Sequence, residues 1–223
     1  SLPGIHLVIM MGRNAGFLTA AAALGGAHRV YIPEHPFDLD SFVEEVRQTN
    51  AEHGRALIAV SEGIRDRDGV ELISKFVERE IAQHGNTRLS GLPLGDVLIK
   101  ILKEKLGVSR IRQDTLGYPQ RCYADQSPVD RKEAFAVGKK AAEVMAKGKL
   151  KSGSVTIKRV SNTPYRARYE VVPLEVVANK TRTLPKEYYD EENKQITSLG
   201  LDYLRPLVGK LPDMATLGEF ASN

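Results

Sequence analysis

Tryptophan is absent from the 223-residue chain, and cysteine occurs once, at Cys122. A lone thiol forms no internal disulfide, so a disulfide scaffold is excluded and a reducing compartment is expected. Cys122 itself reads as a small, partly buried apolar residue. Aromatic residues reach only 6%, which is thin for a surface that stacks successive bases. No apolar run approaches the roughly 18 residues of a membrane-spanning helix, and no signal peptide is visible. Charge of one sign is scarce as well: 32 Lys and Arg stand against 28 Asp and Glu, with no basic run interleaved with aromatics. Neither nucleic acid nor membrane is an expected partner, and the expected location is the cytoplasm. His6, His28, His35, His53 and His84 lack metal-ligand spacing, and no P-loop, GxGxxG or GxSxG occurs.

What is present is the composition of a folded domain, 42% hydrophobic and 27% charged. Residues 1–117 alternate strand and helix. Ile5 to Met10 is an apolar run of strand length, and its position at the start suggests that something upstream is missing. A turn over residues 11–16 leads into an Ala-rich helix that Gly25-Gly26 ends. His28 to Ile32 and Ala56 to Val60 are further strands. Ser41-Phe42-Val43-Glu44 has capping-box spacing and opens the helix between them. Val70, Ile73, Phe76, Val77 and Ile81 form one helical stripe, and Val97, Leu98, Ile101, Leu102 and Leu106 form another. Ser109 to Leu116 reads as a strand. This alternation predicts a mostly parallel sheet covered by helices on both faces.

Beyond Arg121 the pattern changes. Ser127 and Pro128 cap and open a long helix with Ala134, Val137, Ala141 and Met145 on its apolar stripe. Ser154 to Val160 and Arg168 to Ala178 read as two antiparallel strands. Residues 179–223 read as a wrapping tail with short helices. Lys147, Lys149 and Lys151 read as a solvated loop, Asp190-Glu191-Glu192 as a solvated face, and Asp38, Asp40, Asp66 and Asp68 as caps and turn formers.

Ligands bind parallel sheets outside the carboxyl ends of the strands, and three polar clusters stand at such ends. Met11-Gly12-Arg13 opens a strand-to-helix turn whose free N–H groups and guanidinium suit a phosphate; by itself it is equally an ordinary turn with a surface Arg. Ser61-Glu62-Gly63 offers a carboxylate for sugar hydroxyls, or a plain ion-paired side chain. Tyr118-Pro119-Gln120-Arg121 offers a phenol and a guanidinium for a phosphomonoester, or a loop with an exposed Arg.

Taken together, Met11-Gly12-Arg13 with Asn14-Ala15-Gly16, then Ile32-Pro33-Glu34, Val60-Ser61-Glu62-Gly63 and Leu116 to Arg121 resemble, in order and spacing, the carboxyl-terminal portion of the phosphofructokinases. The Tyr118 version is most similar to the pyrophosphate-dependent members, since bacterial ATP-using ones carry His there. The resemblance implies an α/β fold: a three-layer α/β/α sandwich around a mostly parallel, Rossmann-like sheet, incomplete at its N-terminus. It implies a fructose 6-phosphate-binding domain at 1–117, a segment at 118–178 returning to an amino-terminal phosphoryl-donor domain, and the tail at 179–223. Met11, Gly12 and Arg13 would meet the sugar phosphate, with Arg13 the catalytic cation near the transferring group. Glu62 would hold hydroxyls, and Tyr118 and Arg121, with Pro119 and Gln120 between them, would grip the 6-phosphate. The activity implied is transfer from pyrophosphate to the C1 hydroxyl of fructose 6-phosphate, in glycolysis or gluconeogenesis. The alternatives are an ATP-dependent version, and a non-catalytic sugar-phosphate-binding or regulatory domain. The family's Gly-Gly-Asp and Thr-Ile-Asp-x-Asp segments are not in this chain, so the base and the Mg2+ ligands are expected upstream. A homo-oligomer is implied, with basic residues of a neighbouring subunit on the 6-phosphate. Gly4 and Gln113 stand at their positions here, with Arg112 one place away.

Overall fold

The computed structural model describes residues 3–76, 93–148 and 152–211. Two compact units emerge: Ser1–Asp125 with Glu175–Asp202, and Gln126–Leu174 with Tyr203–Asn223. Residues 118–125 fall with the first unit, and so does most of the early tail.

In the first unit, β1 (Gly4–Met10), β2 (Arg29–Tyr31), β3 (Arg55–Ser61) and β4 (Ile111–Thr115) form one sheet in the order β2-β3-β1-β4. Every pairing is parallel. β1 alternates half-buried and buried residues, with Ile5, Leu7 and Ile9 inward. Both of its edges are paired within this chain, by β3 and β4. Its apolarity therefore needs no further strand, and the expectation that its burial points upstream loses its physical basis.

The inward face packs on α2 (Leu39–His53) and α3 (Leu94–Leu106), where Phe42, Val46, Leu98 and Leu102 join the β1 side chains in one core. α1 (Phe17–Ala21) crosses the sheet in the opposite direction, from β1 to the far strand β2, and a right-handed crossover sets it on the other face. Its buried Ala20 lies outside that core. α1 is shorter than the Ala-rich run predicts, because residues 22–26 continue as turns. α2 begins at Leu39 rather than at Ser41: the Asp38 carboxylate accepts from Ser41 N at 2.9 Å and caps it, while Glu44 turns to Arg47. Of the predicted stripe, residues 72–76 are helical, Leu72 is buried in place of the exposed Val70, and Val77 and Ile81 lie outside the described residues.

The tail returns to this unit. A short hairpin, β7 (Tyr189–Asp190) with β8 (Gln195–Ile196), closes the outer edge of β2. Val30 N donates to Lys194 O at 2.7 Å, and the Tyr189 hydroxyl donates to Val30 O at 2.7 Å.

The second unit holds α5 (Pro128–Ala146) and the antiparallel pair β5 (Ser154–Asn162) and β6 (Tyr165–Val172). Ser127 caps α5 as expected, its hydroxyl accepting from Asp130 N. The expected stripe is displaced: Met145 is exposed, and the buried position is Glu133. The strand predicted over Arg168–Ala178 starts earlier and stops at Val172, since Pro173 has no N–H to give a ladder. Leu174–Val177 is a turn of helix instead. Lys149 and Lys151 lie outside the described residues.

Candidate functional site

The register of the sheet gathers the three polar clusters. Met10 stands opposite Ser61 on β3, and Ile9 opposite Thr115 on β4. Two more ladder bonds carry the pairing past the strands: Glu62 N donates to Met10 O and Leu116 N to Ile9 O, both at 2.9 Å. The residues that follow, Met11, Glu62 and Gly117, thus leave one edge of the sheet side by side.

Backbone contact between the first two clusters is close. Ser61 Oγ donates to Gly12 O, and Gly12 N points at Glu62 Oε1, 3.4 Å away. A Cβ on Gly63 would sit 2.0 Å from Arg13 O, so any larger residue would push the Arg13 backbone off β3. Glycine here is what lets the two loops touch.

The third cluster is not the loop that its Pro suggests. Gly117–Cys122 is a short helix, α4, with Pro119 in its first turn, where a missing N–H costs nothing. Gln120 accepts from Met11 N through its side-chain carbonyl at 2.9 Å, which ties α4 to the end of β1. This bond keeps residues 118–125 with the sheet. Tyr118 and Arg121, three apart on α4, share a face. The Arg121 guanidinium lies 5.8 Å from the centre of the Tyr118 ring, and Tyr118 is 78% exposed. α4 buries none of its residues, and Cys122 at its end is exposed rather than partly buried.

Arg13 is held by a residue that the motifs do not contain. Its Nε and Nη2 donate to the two oxygens of Glu71 at 3.0 and 3.1 Å. Hydrogen bonding by Arg13 holds the Glu71 carboxyl below its ordinary range and raises Arg13 in turn. Glu71 lies 58 positions from Arg13, and no local spacing signals the pair.

The positions of the expected intersubunit cations are otherwise engaged. Gly4 has φ +125°, and a Cβ there would meet Arg110 O at 2.6 Å, so no side chain fits easily. Gln113 Nε2 donates to Asp96 on α3 at 2.7 Å, and its carbonyl accepts from Thr115. Arg112 is exposed, opposite His6 in the register. His6 sits on its strand as expected and pairs with Asp114 at 2.7 Å.

Among the described residues no three His, Cys, Asp or Glu side chains converge to hold a metal, and no helix is long and apolar enough to cross a membrane. A cavity of about 350 Å³ lies beside β2 and includes none of the clustered residues. Its polar groups are largely spent on one another: Tyr31 donates to Glu45 at 2.5 Å, Asp38 caps α2, and His35 faces Glu191 at 3.5 Å. Around the clusters, by contrast, Arg13, Glu62, Tyr118 and Arg121 stand exposed.

Comparison with known proteins points one way. The family model described as Phosphofructokinase matches residues 1–145. The pyrophosphate–fructose 6-phosphate 1-phosphotransferase of Rhodospirillum rubrum is 44% identical over 98% of this chain and 56% of its own length. That of Methylococcus capsulatus is 33% identical over 97% of this chain and 54% of its own. ATP-dependent relatives match less of the chain, as that of Synechocystis does at 32% identity over 66% of it and 38% of its own length. The crystal structure of a pyrophosphate-dependent phosphofructokinase from Marinobacter aquaeolei superposes with a TM-score of 0.75 at 28% identity, covering 95% of this chain and 50% of that one. The chain thus spans about half the length of the relatives it matches.

Proposed function

Since the chain belongs to the phosphofructokinase family, we propose that it carries the sugar-phosphate side of a pyrophosphate-dependent 6-phosphofructokinase. The observation that carries this reading is the convergence of Arg13, Glu62 and Arg121 on one edge of a parallel sheet. Fructose 6-phosphate is a dianion joined to a row of hydroxyls. Arg121 donates charge-assisted hydrogen bonds to its phosphate and Tyr118 adds a phenol from the same face. Glu62 accepts from the hydroxyls. Met11 and Gly12 shape the loop beside the C1 end, with Gln120 bracing Met11 and Pro119 stiffening α4.

Arg13 lies nearest to the phosphoryl group in transit and stabilises the negative charge that develops on it. It cannot take the C1 proton, because a guanidinium is donor-only. The described residues offer no cation cradle for the Mg2+ that such transfer uses, so their part is to bind, orient and neutralise. Pyrophosphate rather than ATP is the proposed donor, supported by Tyr118 and by the longer matches to pyrophosphate-dependent relatives. A cytoplasmic homo-oligomer acting in glycolysis or gluconeogenesis completes the reading.

The test is Arg121→Ala in the full-length enzyme. Losing a charge-assisted contact costs about 1.5–3 kcal/mol, so the KM for fructose 6-phosphate should rise by roughly one to two orders of magnitude. A KM that does not move overturns the assignment.

A further inference from the structure

A guanidinium presents two edges, each with a pair of N–H groups: the side edge, Nε with Nη2, and the end edge, Nη1 with Nη2. Glu71 takes the side edge of Arg13 with both oxygens. Nη1 has no hydrogen-bond partner among the described residues, and the Arg13 side chain is 69% exposed against 22% for Glu71. The carboxylate is the anchored member of the pair. Residues 65 and 71 form an isolated antiparallel bridge, and Leu72 N donates to Ile64 O at 3.0 Å. A second guanidinium, Arg65, stands 3.7 Å from the same Glu71 oxygen, and its Nη2 donates to Asn14 Oδ1 at 2.8 Å. Two cations therefore share one carboxylate, and the group keeps a net positive charge toward an anion.

We propose that Glu71 is a positioning residue of the phosphoryl-transfer site, gripping the side edge of Arg13 so that its end edge is kept free for phosphoryl oxygens. The proposal rests on the function proposed above. An exposed ion pair adds little to stability, so fixing this cation must show its value in transfer. A guanidinium held at one edge enters the reaction with its rotamers already fixed, whereas a loose one must be ordered as charge develops.

The experiment compares Glu71→Gln and Glu71→Ala in the full-length enzyme, with pyrophosphate and fructose 6-phosphate as substrates. Glu71→Ala is expected to lower kcat about ten-fold, while the KM for fructose 6-phosphate moves less than about two-fold. Glu71→Gln keeps one acceptor and most of the shape, so it should retain more activity than Glu71→Ala and leave the melting temperature unchanged. Lysine offers no two-edged group, so in an Arg13→Lys background Glu71→Gln should cost almost nothing further. A wild-type kcat in Glu71→Ala, an undiminished loss in the Arg13→Lys background, or a fall in melting temperature that tracks the activity of Glu71→Gln would each overturn the proposal while leaving the function standing. A wild-type enzyme without fructose 6-phosphate-dependent transfer would remove the function, and the proposal with it.

Discussion

The sheet unit closes on Ile5, Leu7, Phe42, Ile58, Leu98 and Leu102, all nearly or wholly removed from water. The unit of residues 126–174 and 203–223 has only one buried hydrophobic residue among those described, Leu204, and one buried charged residue, Glu133. What gathers there is polar and aromatic. The Tyr165 hydroxyl donates to Glu133 at 2.6 Å, and Arg159 lies 4.8 Å from the Tyr165 ring centre and 3.8 Å from that of Tyr203. Arg159 Nη1 also donates to Tyr203 O at 2.6 Å. The first unit is held by area removed from water, which is forgiving of orientation. The second is held by bonds that each need a named partner, so deleting one atom should matter more there than its size suggests.

The contrast can be broken most forcefully in the first unit. Leu98→Ala leaves a cavity under β1 and should cost about 3 kcal/mol, read as a shift in the denaturant midpoint of the sheet unit followed by hydrogen exchange in β1 and β3. A loss under about 1 kcal/mol would mean that this core is loosely packed.

Next in size is Tyr165→Phe. It removes one oxygen and no apolar volume, yet strands the Glu133 carboxylate, and should cost about 2 kcal/mol in exchange protection of β5 and β6. The same variant sharpens the comparison at alkaline pH. Burial first, and then the hydrogen bond to Glu133, pushes the Tyr165 phenol up to about 12. A group whose folded value is raised contributes stability that is complete below its unfolded value, about 10, and is lost as pH rises through the folded one. Wild-type β5 and β6 should therefore lose protection between about pH 10 and 12, and Tyr165→Phe should flatten that loss. Burial also raises Tyr31 and Tyr189 in the sheet unit, which is why the variant, and not pH alone, separates the two.

The smallest effect lies at low pH. His28 Nδ1 accepts from Leu57 N at 2.8 Å, and its ring stacks on His53 at 4.6 Å. Burial, then the neighbouring His53 and Arg55, lower its pKa. A depressed value contributes stability present above the ordinary histidine range and lost as pH falls through the folded value. Exchange at Leu57 N should speed up below about pH 6.5, and His28→Asn, which keeps a neutral acceptor, should remove that dependence.

How much of this was legible follows from the same contrast. Alternating apolar runs placed β1, β3 and α3 well, because a buried face imposes its period on the sequence. The site edge was legible because parallel strands deliver their C-terminal residues together. In α5 the reading slipped to Ala134 and Met145, since the buried position is the carboxylate of Glu133, which no hydrophobic pattern marks. Glu71 went unnoticed because only the joining of β3 to β1 brings it to Arg13. The Pro33-Glu34 pair drew attention for its resemblance, while its physical task was hidden: Glu34 Oε1 accepts from Gly16 N at 2.9 Å and from Leu184 N at 2.7 Å.

That last bond, with the hairpin over β2, sets an order of events during synthesis. Chains leave the ribosome N-terminus first. β1 to β4 emerge long before Leu184, Tyr189 and Lys194, and until those residues arrive the outer edge of β2 and one carboxylate stay open to water. Residues 126–174, with only local pairings to make, emerge in the interval. The nascent protein thus completes an inserted piece before it can close the piece that began it, and an arrest of translation near residue 180 would leave β2 as a bare edge, the kind of surface on which chains adhere.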